Sequence, residues 1–169
     1  MDAASLRALQ APIKDKYKSA PDAARITLKA KGSIDDTSIA CKVETGRAIA
    51  LAGLHPATGG SGMELCSGDM LLEALVACAG VTLKAVATAI DVPLKSANVY
   101  AEGDLDFRGT LGVDKGAKVG FENIRLRFEV DTDAPQDKVD QLLKLTERYC
   151  VVFQTLNTKP ELKAELKRV

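Results

Sequence analysis

The sequence predicts an α+β fold, an antiparallel sheet with helices gathered on one side, in the order β-β-β-α-β-β-α. Three observations carry this reading. Several segments alternate apolar and polar residues with the period of a half-buried strand. Residues 70–90 form a long apolar stretch in which only Glu73 and Lys84 are charged. A third pattern, apolar residues recurring at three and four, lies near the C-terminal end. With 169 residues the chain can bury a real core. It divides into an N-terminal helical appendage, residues 1–22, and a single α+β domain, residues 23–169.

Along the chain, residues 3–18 read as a short helix, a break at Pro12 and a further turn. "ARITLKAKGSID" puts Ile26, Leu28 and Ala30 on one side of a strand and Thr27, Lys29 and Lys31 on the other. "DDTSIACKVETG" repeats the alternation with Ile39, Cys41 and Val43 inward, and "GRAIALAG" is a third, shorter strand. "LHPATGGSGMELCSGD" is a glycine-rich lead-in to the long helix and lacks the Gly-Lys-Ser/Thr ending of a phosphate-binding loop. After Pro93, "SANVYAEGDLDF" alternates Val99, Ala101, Leu105 and Phe107 against Asn98, Tyr100, Glu102, Asp104 and Asp106. "FENIRLRFEVDTD" does the same with Ile124, Leu126, Phe128 and Val130, across a long connection rich in glycine. The last helical region places Val139, Leu142, Leu143, Thr146, Tyr149, Cys150, Phe153 and Leu156 on one stripe and ends before Pro160.

Composition narrows the function. Lys plus Arg and Asp plus Glu number 23 each, so no net field draws the chain to nucleic acid or anionic lipid. The N-terminal segment has no apolar core of a secretory signal, which leads us to expect a cytoplasmic, reducing environment for the four cysteines. Residues 70–90 are long enough to span a bilayer, but interior Glu73 and Lys84, no aromatic belt and abundant alanine favour a helix covered by protein. One sheet covers only one face of such a helix, and a second copy of the chain is the simplest further cover: we expect a homodimer. Cysteine spacing contains no CxxC, and His55 is the only histidine, so neither a metal site nor a cofactor is expected. His55, before a proline, reads as a loop residue.

Cys78 and Cys150 both fall on or beside core-facing stripes of helices, and a free cysteine in such a place often only packs. "SGDMLLEALVACAGVTL" and "ERYCVVFQTL", however, resemble the two cysteine segments of the OsmC/Ohr superfamily. "GDLDFRGTLGV" with "GFENIRLRFEV", and "LQAPIKDKYKSAPDAARITLKAKG", are similar to the central hairpin and the opening of one OsmC-like subgroup. The resemblance runs through nearly the whole chain in the right order. It implies an intertwined OsmC-like homodimer, each half a strongly bent sheet with two central helices. It also implies reduction of small organic hydroperoxides, with Cys78 as the peroxidatic thiol and Cys150 as the resolving one. An external dithiol would complete the cycle; for members of the family this is a lipoyl group on a partner protein. The alternative it leaves is a non-catalytic dimer of the same fold, binding an apolar ligand or acting in a stress response.

Thiol chemistry needs the thiolate, and an apolar setting opposes it. Mid-helix, Cys78 is beyond reach of the dipole of its own helix, so the sequence leads us to expect a cation beside it. In the family an arginine serves, held by an acidic residue that matches Asp69 here, where glutamate is usual. Nine residues of helix separate Asp69 from Cys78 by roughly 13 Å, so Asp69 acts only through a bridging group. The family's arginine has no counterpart in "LKAKGSIDDTS", and Arg25, Arg47 and Arg108 read as solvated charges at strand ends. Where Pro and Ser commonly follow the second cysteine, this chain has Val151 and Val152.

Overall fold

The structure, a computed structural model, describes residues 3–34, 41–43, 52–63 and 65–168. Its main sheet has four antiparallel strands in the order β2-β1-β5-β6: β1 (Arg25–Ile34), β2 (Cys41–Val43), β5 (Ser96–Asp106) and β6 (Asn123–Asp131). Between β2 and β5 come β3 (Ala52–Gly53), β4 (Leu65–Cys66) and the long helix α2 (Ser67–Ala89). The N-terminal helix is α1 (Ala3–Ser19), a single turn α3 (Phe107–Thr110) follows β5, and α4 (Gln136–Tyr149) and α5 (Val151–Thr158) end the fold.

β5 is central because it can be buried on one face along its length. Ala97, Val99 and Ala101 are buried, while Asn98, Tyr100, Glu102 and Asp104 are only half-covered. On the polar face Arg125 bonds Asp104 at 2.5 Å, Thr27 donates to the same carboxylate at 2.7 Å, and Arg127 lies 4.3 Å over the Tyr100 ring. The other face receives α2. Its stripe of Leu72, Leu75, Val76, Ala79, Gly80, Leu83, Val86 and Ala87 has the spacing of one helix face and is buried against the sheet, α4 and α5. α2 is long and apolar enough to cross a membrane by length and composition; here its buried stripe is filled by protein.

Several expectations are corrected. α1 runs through Pro12 without interruption. It is pinned on both sides of the proline, by Gln10 Nε2 donating to the Thr58 carbonyl at 3.3 Å and Tyr17 OH donating to the Ala57 carbonyl at 2.8 Å. The lead-in loop contains a strand, β4, which pairs in parallel with β3 (Ala52↔Leu65, Gly53↔Cys66). The connection between β5 and β6 begins with the turn of α3. Asp106, expected on the polar face, is 2% exposed: it caps α3 by accepting the Arg108 N–H at 3.0 Å and holds the Arg108 guanidinium at 2.5 Å. The last helical region is two helices, with Cys150 between them. Most of the segments expected to form the second and third strands, and the side chain of Cys41, lie outside the described residues.

Two glycines are sterically required. A Cβ on Gly103 would sit 2.4 Å from the Phe121 ring, so the bare backbone of β5 is what lets that ring fold over the strand. A Cβ on Gly60 would meet the Leu54 carbonyl oxygen at 1.6 Å, which fixes the tight return of the loop after β3.

Candidate functional site

The fold brings Cys78 and Cys150 together. Cys78 lies beside the buried stripe of α2 and is half-buried; Cys150 is 1% exposed, and both belong to one core cluster with Leu75, Ala79 and Val99. The two thiols are near enough that each shifts the ionisation of the other. No disulfide joins them; both are free thiols.

The break between α4 and α5 explains how the sulfurs are served. Cys150 leaves the helical region (φ −72°, ψ 106°); its N–H closes α4 on the Thr146 carbonyl at 2.9 Å, and its carbonyl accepts the first intrahelical bond of α5 from Gln154 N–H at 2.9 Å. The N–H groups of Val151, Val152 and Phe153 are therefore left without helical acceptors. All three turn toward sulfur: Phe153 N–H donates to Cys150 Sγ at 3.5 Å, Val151 N–H favours the Cys78 thiolate, and Val152 N–H favours that of both cysteines. On the α4 side, Gln154 Nε2 satisfies the Glu147 carbonyl at 2.8 Å.

These contacts split the two thiols. Burial pushes Cys78 up, but hydrogen bonds from Val152 N–H, the Cys150 thiol, Val151 N–H and the Thr82 hydroxyl outweigh it, and its pKa lies below the ordinary thiol value. The Thr82 oxygen is also 2.8 Å from the Cys78 carbonyl, and its one proton serves one acceptor at a time. Cys150 is pushed up to about 11, first by burial and then by the neighbouring Cys78. One sulfur is thus prepared to ionise and its neighbour to remain a thiol. Among the described residues the causes acting on Cys78 are burial and hydrogen bonds, and the side chains of Lys29, Lys42 and Arg47 lie outside them.

Two apolar depressions flank the inner side of β6. One, of about 320 Å³, is lined by Leu75, Phe121, Ile124, Leu126, Phe153 and Leu156 among others. Leu75 is one turn before Cys78 and Phe153 one turn after Cys150, so the depression is walled by the same helices that carry the sulfurs, and neither sulfur lines it. A second, of about 340 Å³, continues past Leu126 and Phe153 to Val130, Val139 and Leu142.

Asp69 is not brought to the sulfurs. It lies in the first turn of α2, where burial raises its pKa and His55 offsets part of the rise. His55 is more than a loop residue. Its Nδ1 accepts the Ala57 N–H at 3.0 Å, its ring stacks on Phe107 with centroids 5.0 Å apart, and burial lowers its pKa against the opposing pull of Asp69. With Cys66, Leu71, Leu105 and Phe121 it lines a cavity of about 410 Å³ at the start of α2. Pro56 after His55 and the conspicuous glycines were the available signals for this pocket, but the aromatic wall comes from a distant loop.

Of the arginines, Arg108 is not a solvated charge; its side chain is 17% exposed and engaged by Asp106, with Asp114 at 3.5 Å. Arg25 is exposed, and Arg47 lies outside the described residues. Among the described residues, no group of three or more His, Cys, Asp or Glu side chains could hold a metal ion.

An antiparallel sheet backed by a long apolar helix, with two free thiols in contact at a helix break, defines a dithiol protein of α+β architecture. The family described as OsmC-like protein matches residues 59–165, more than half of the chain, and the chain belongs to that family. The fold is similar to the crystal structure of an OsmC-like hydroperoxide resistance protein from Jannaschia sp. CCS1. The two share 15% identity at a TM-score of 0.63, over 86% of this chain and 95% of that one. No curated protein matches the sequence.

Proposed function

We propose that the protein reduces organic hydroperoxides in the cytoplasm, with Cys78 as the attacking thiol and Cys150 as the resolving one. The observation that carries this reading is the contact between two thiols whose ionisation is driven apart, Cys78 down and Cys150 up. Membership of the OsmC-like family and the likeness to a hydroperoxide resistance protein support a role in peroxide stress.

In this reading the Cys78 thiolate attacks the terminal oxygen of the hydroperoxide. The O–O bond breaks, the alkoxide leaves and takes a proton to become the alcohol, and Cys78 is oxidised to the sulfenic acid. The Cys150 thiol then attacks the Cys78 sulfur; an S–S bond forms and the sulfenic oxygen departs as water. An external dithiol, such as a lipoyl group, reduces the disulfide by exchange and becomes a cyclic disulfide itself. The apolar depression walled by the helices that carry the pair favours peroxides with hydrocarbon substituents over hydrogen peroxide. Asp69 is assigned no step in this scheme.

The working unit is a homodimer with an intertwined, strongly bent sheet. Its support is the second stripe of α2, where Leu71 and Val81, 38% and 37% exposed, flank the half-buried Cys78. Cys78→Ser should abolish turnover of cumene or tert-butyl hydroperoxide while leaving the dimer intact; unchanged peroxide consumption by that variant would overturn the reading.

A second reading, a dimeric binder of an apolar ligand, is favoured by the 410 Å³ cavity at the start of α2, whose walls include Leu54, Leu71, Leu105, Phe107 and Phe121. A peroxide-treated protein that forms no Cys78–Cys150 disulfide by intact mass would point to this reading instead.

A further inference from the structure

We propose that the cavity at the start of α2 is a binding site, separate from the thiol pair, for a neutral aromatic small molecule with one accepting oxygen, which the Nε2–H of His55 recognises. This deepens the second reading above by naming the chemistry of the ligand, and it stands whether or not the thiols consume peroxide.

The donor comes first. His55 lines the cavity, and its Nδ1 is already occupied, accepting the Ala57 N–H at 3.0 Å. A neutral imidazole whose Nδ1 accepts carries its proton on Nε2. Among the described residues that N–H has no acceptor, so it is the hydrogen bond the ring has left to offer. The ring is also held in place. It stacks on Phe107 with centroids 5.0 Å apart and planes 18° apart. Behind it, the Thr58 hydroxyl and the Thr58 N–H both donate to the His55 carbonyl, at 2.9 and 2.8 Å. α1 braces the same turn from outside, through Gln10, Tyr17 and the Leu9 side chain, which would lie 3.0 Å from a Cβ on Gly59. A donor fixed before the ligand arrives costs less ordering when it binds.

The walls select the rest of the molecule. Phe107 and Phe121 supply aromatic surface, Leu54 and Leu105 aliphatic surface, and a Cβ on Gly120 would meet nothing within 4 Å. The volume of about 410 Å³ lies in the range of small-molecule sites. None of the described lining residues is charged, and the ionisable group acting on His55 is the acid Asp69. An ion would shed its water without a counter-charge in these walls, and an anion would also meet Asp69. Of the α2 face given to the partner subunit, only Leu71 lines the cavity. Cys66, a free thiol at the end of β4, completes the wall and supplies a reporter of occupancy.

The test uses prodan, a neutral naphthalene with one ketone, whose emission moves to the blue in an apolar site. The parent protein should bind it saturably. Methyl naphthyl ketone should displace it about fivefold more strongly than ethylnaphthalene, the difference of one hydrogen bond, and naphthoate should compete worst. His55→Asn keeps an acceptor for the Ala57 N–H, since asparagine caps a helical turn well, but has no group at Nε2. In that variant the ketone and the hydrocarbon should displace prodan alike. Saturating ketone should slow N-ethylmaleimide labelling of Cys66 severalfold and leave that of Cys78 unchanged. A ketone preference that survives in His55→Asn would overturn the assignment and leave an apolar binder with its site elsewhere. So would naphthoate that competes as well as the ketone, or Cys66 labelling indifferent to the ketone. If His55→Asn does not fold, the ketone preference and the Cys66 protection of the parent protein decide. Prodan that never saturates the parent protein would overturn this assignment and the second reading together.

Discussion

At the scale of single residues, two chemically identical side chains in contact are made unlike by the donors around them. Cys78 is influenced by N–H groups of Val151 and Val152 and by the Cys150 thiol, whereas Cys150, which receives Phe153 N–H at 3.5 Å and shares Val152 N–H, sits deeper and faces a neighbour that takes the negative charge. The sign of the pH dependence follows. Alkylating agents react with the thiolate, so a lowered pKa brings reactivity to lower pH and a raised one delays it. Iodoacetamide should label Cys78 ahead of Cys150 as pH rises, while Cys150 should stay unlabelled until the pH approaches about 11. Peptide mapping after short pulses across the pH range checks this. Labelling of Cys150 ahead of Cys78 would mean that the donors have been assigned to the wrong sulfur.

At the scale of elements, the break between α4 and α5 matters most, and it is what the sequence conceals. The stripe from Val139 through Leu142, Thr146, Cys150 and Phe153 keeps helical spacing straight across the junction, with no proline or glycine to mark a stop. Periodicity reports which face is buried, not whether the backbone is continuous. The interruption is stabilised by bonds from outside the local pattern, with Cys150 Sγ capping α5 and the Gln154 side chain closing the Glu147 carbonyl. Gln154→Ala should lower stability by about 1 kcal/mol in urea denaturation and speed amide exchange in the last turn of α4, the bond being an exposed one. The placing of β1, α2, β5 and β6, by contrast, was legible because each carries its own periodicity. Asp106 defeated that logic at the end of β5, where capping α3 and binding Arg108 outweighed alternation. The meeting of Cys78 and Cys150 was legible only through family resemblance, since no spacing rule links residues so distant in the chain.

At the scale of the whole molecule, α2 organises everything else. One stripe supports the sheet, α4 and α5, and a second carries the exposed Leu71, Ala74 and Val81 beside Cys78, the face that the proposed homodimer would cover. Val81→Asp should therefore shift the protein from dimer to monomer in sedimentation velocity and depress peroxide turnover with it, while the far-UV circular dichroism is retained. A Val81→Asp protein that sediments as the parent does would place the subunit contact elsewhere. One more consequence resides in Cys150 as the residue that joins α4 to α5. Its backbone angles are ordinary for any L-amino acid, and serine is among the best residues for capping a helix as its sulfur caps α5. An ancestral line could exchange sulfur for oxygen there, keep the same architecture at little cost, and lose the second half of the redox cycle at one stroke. Descendants that catalyse and descendants that merely bind would then share a silhouette and differ in one atom.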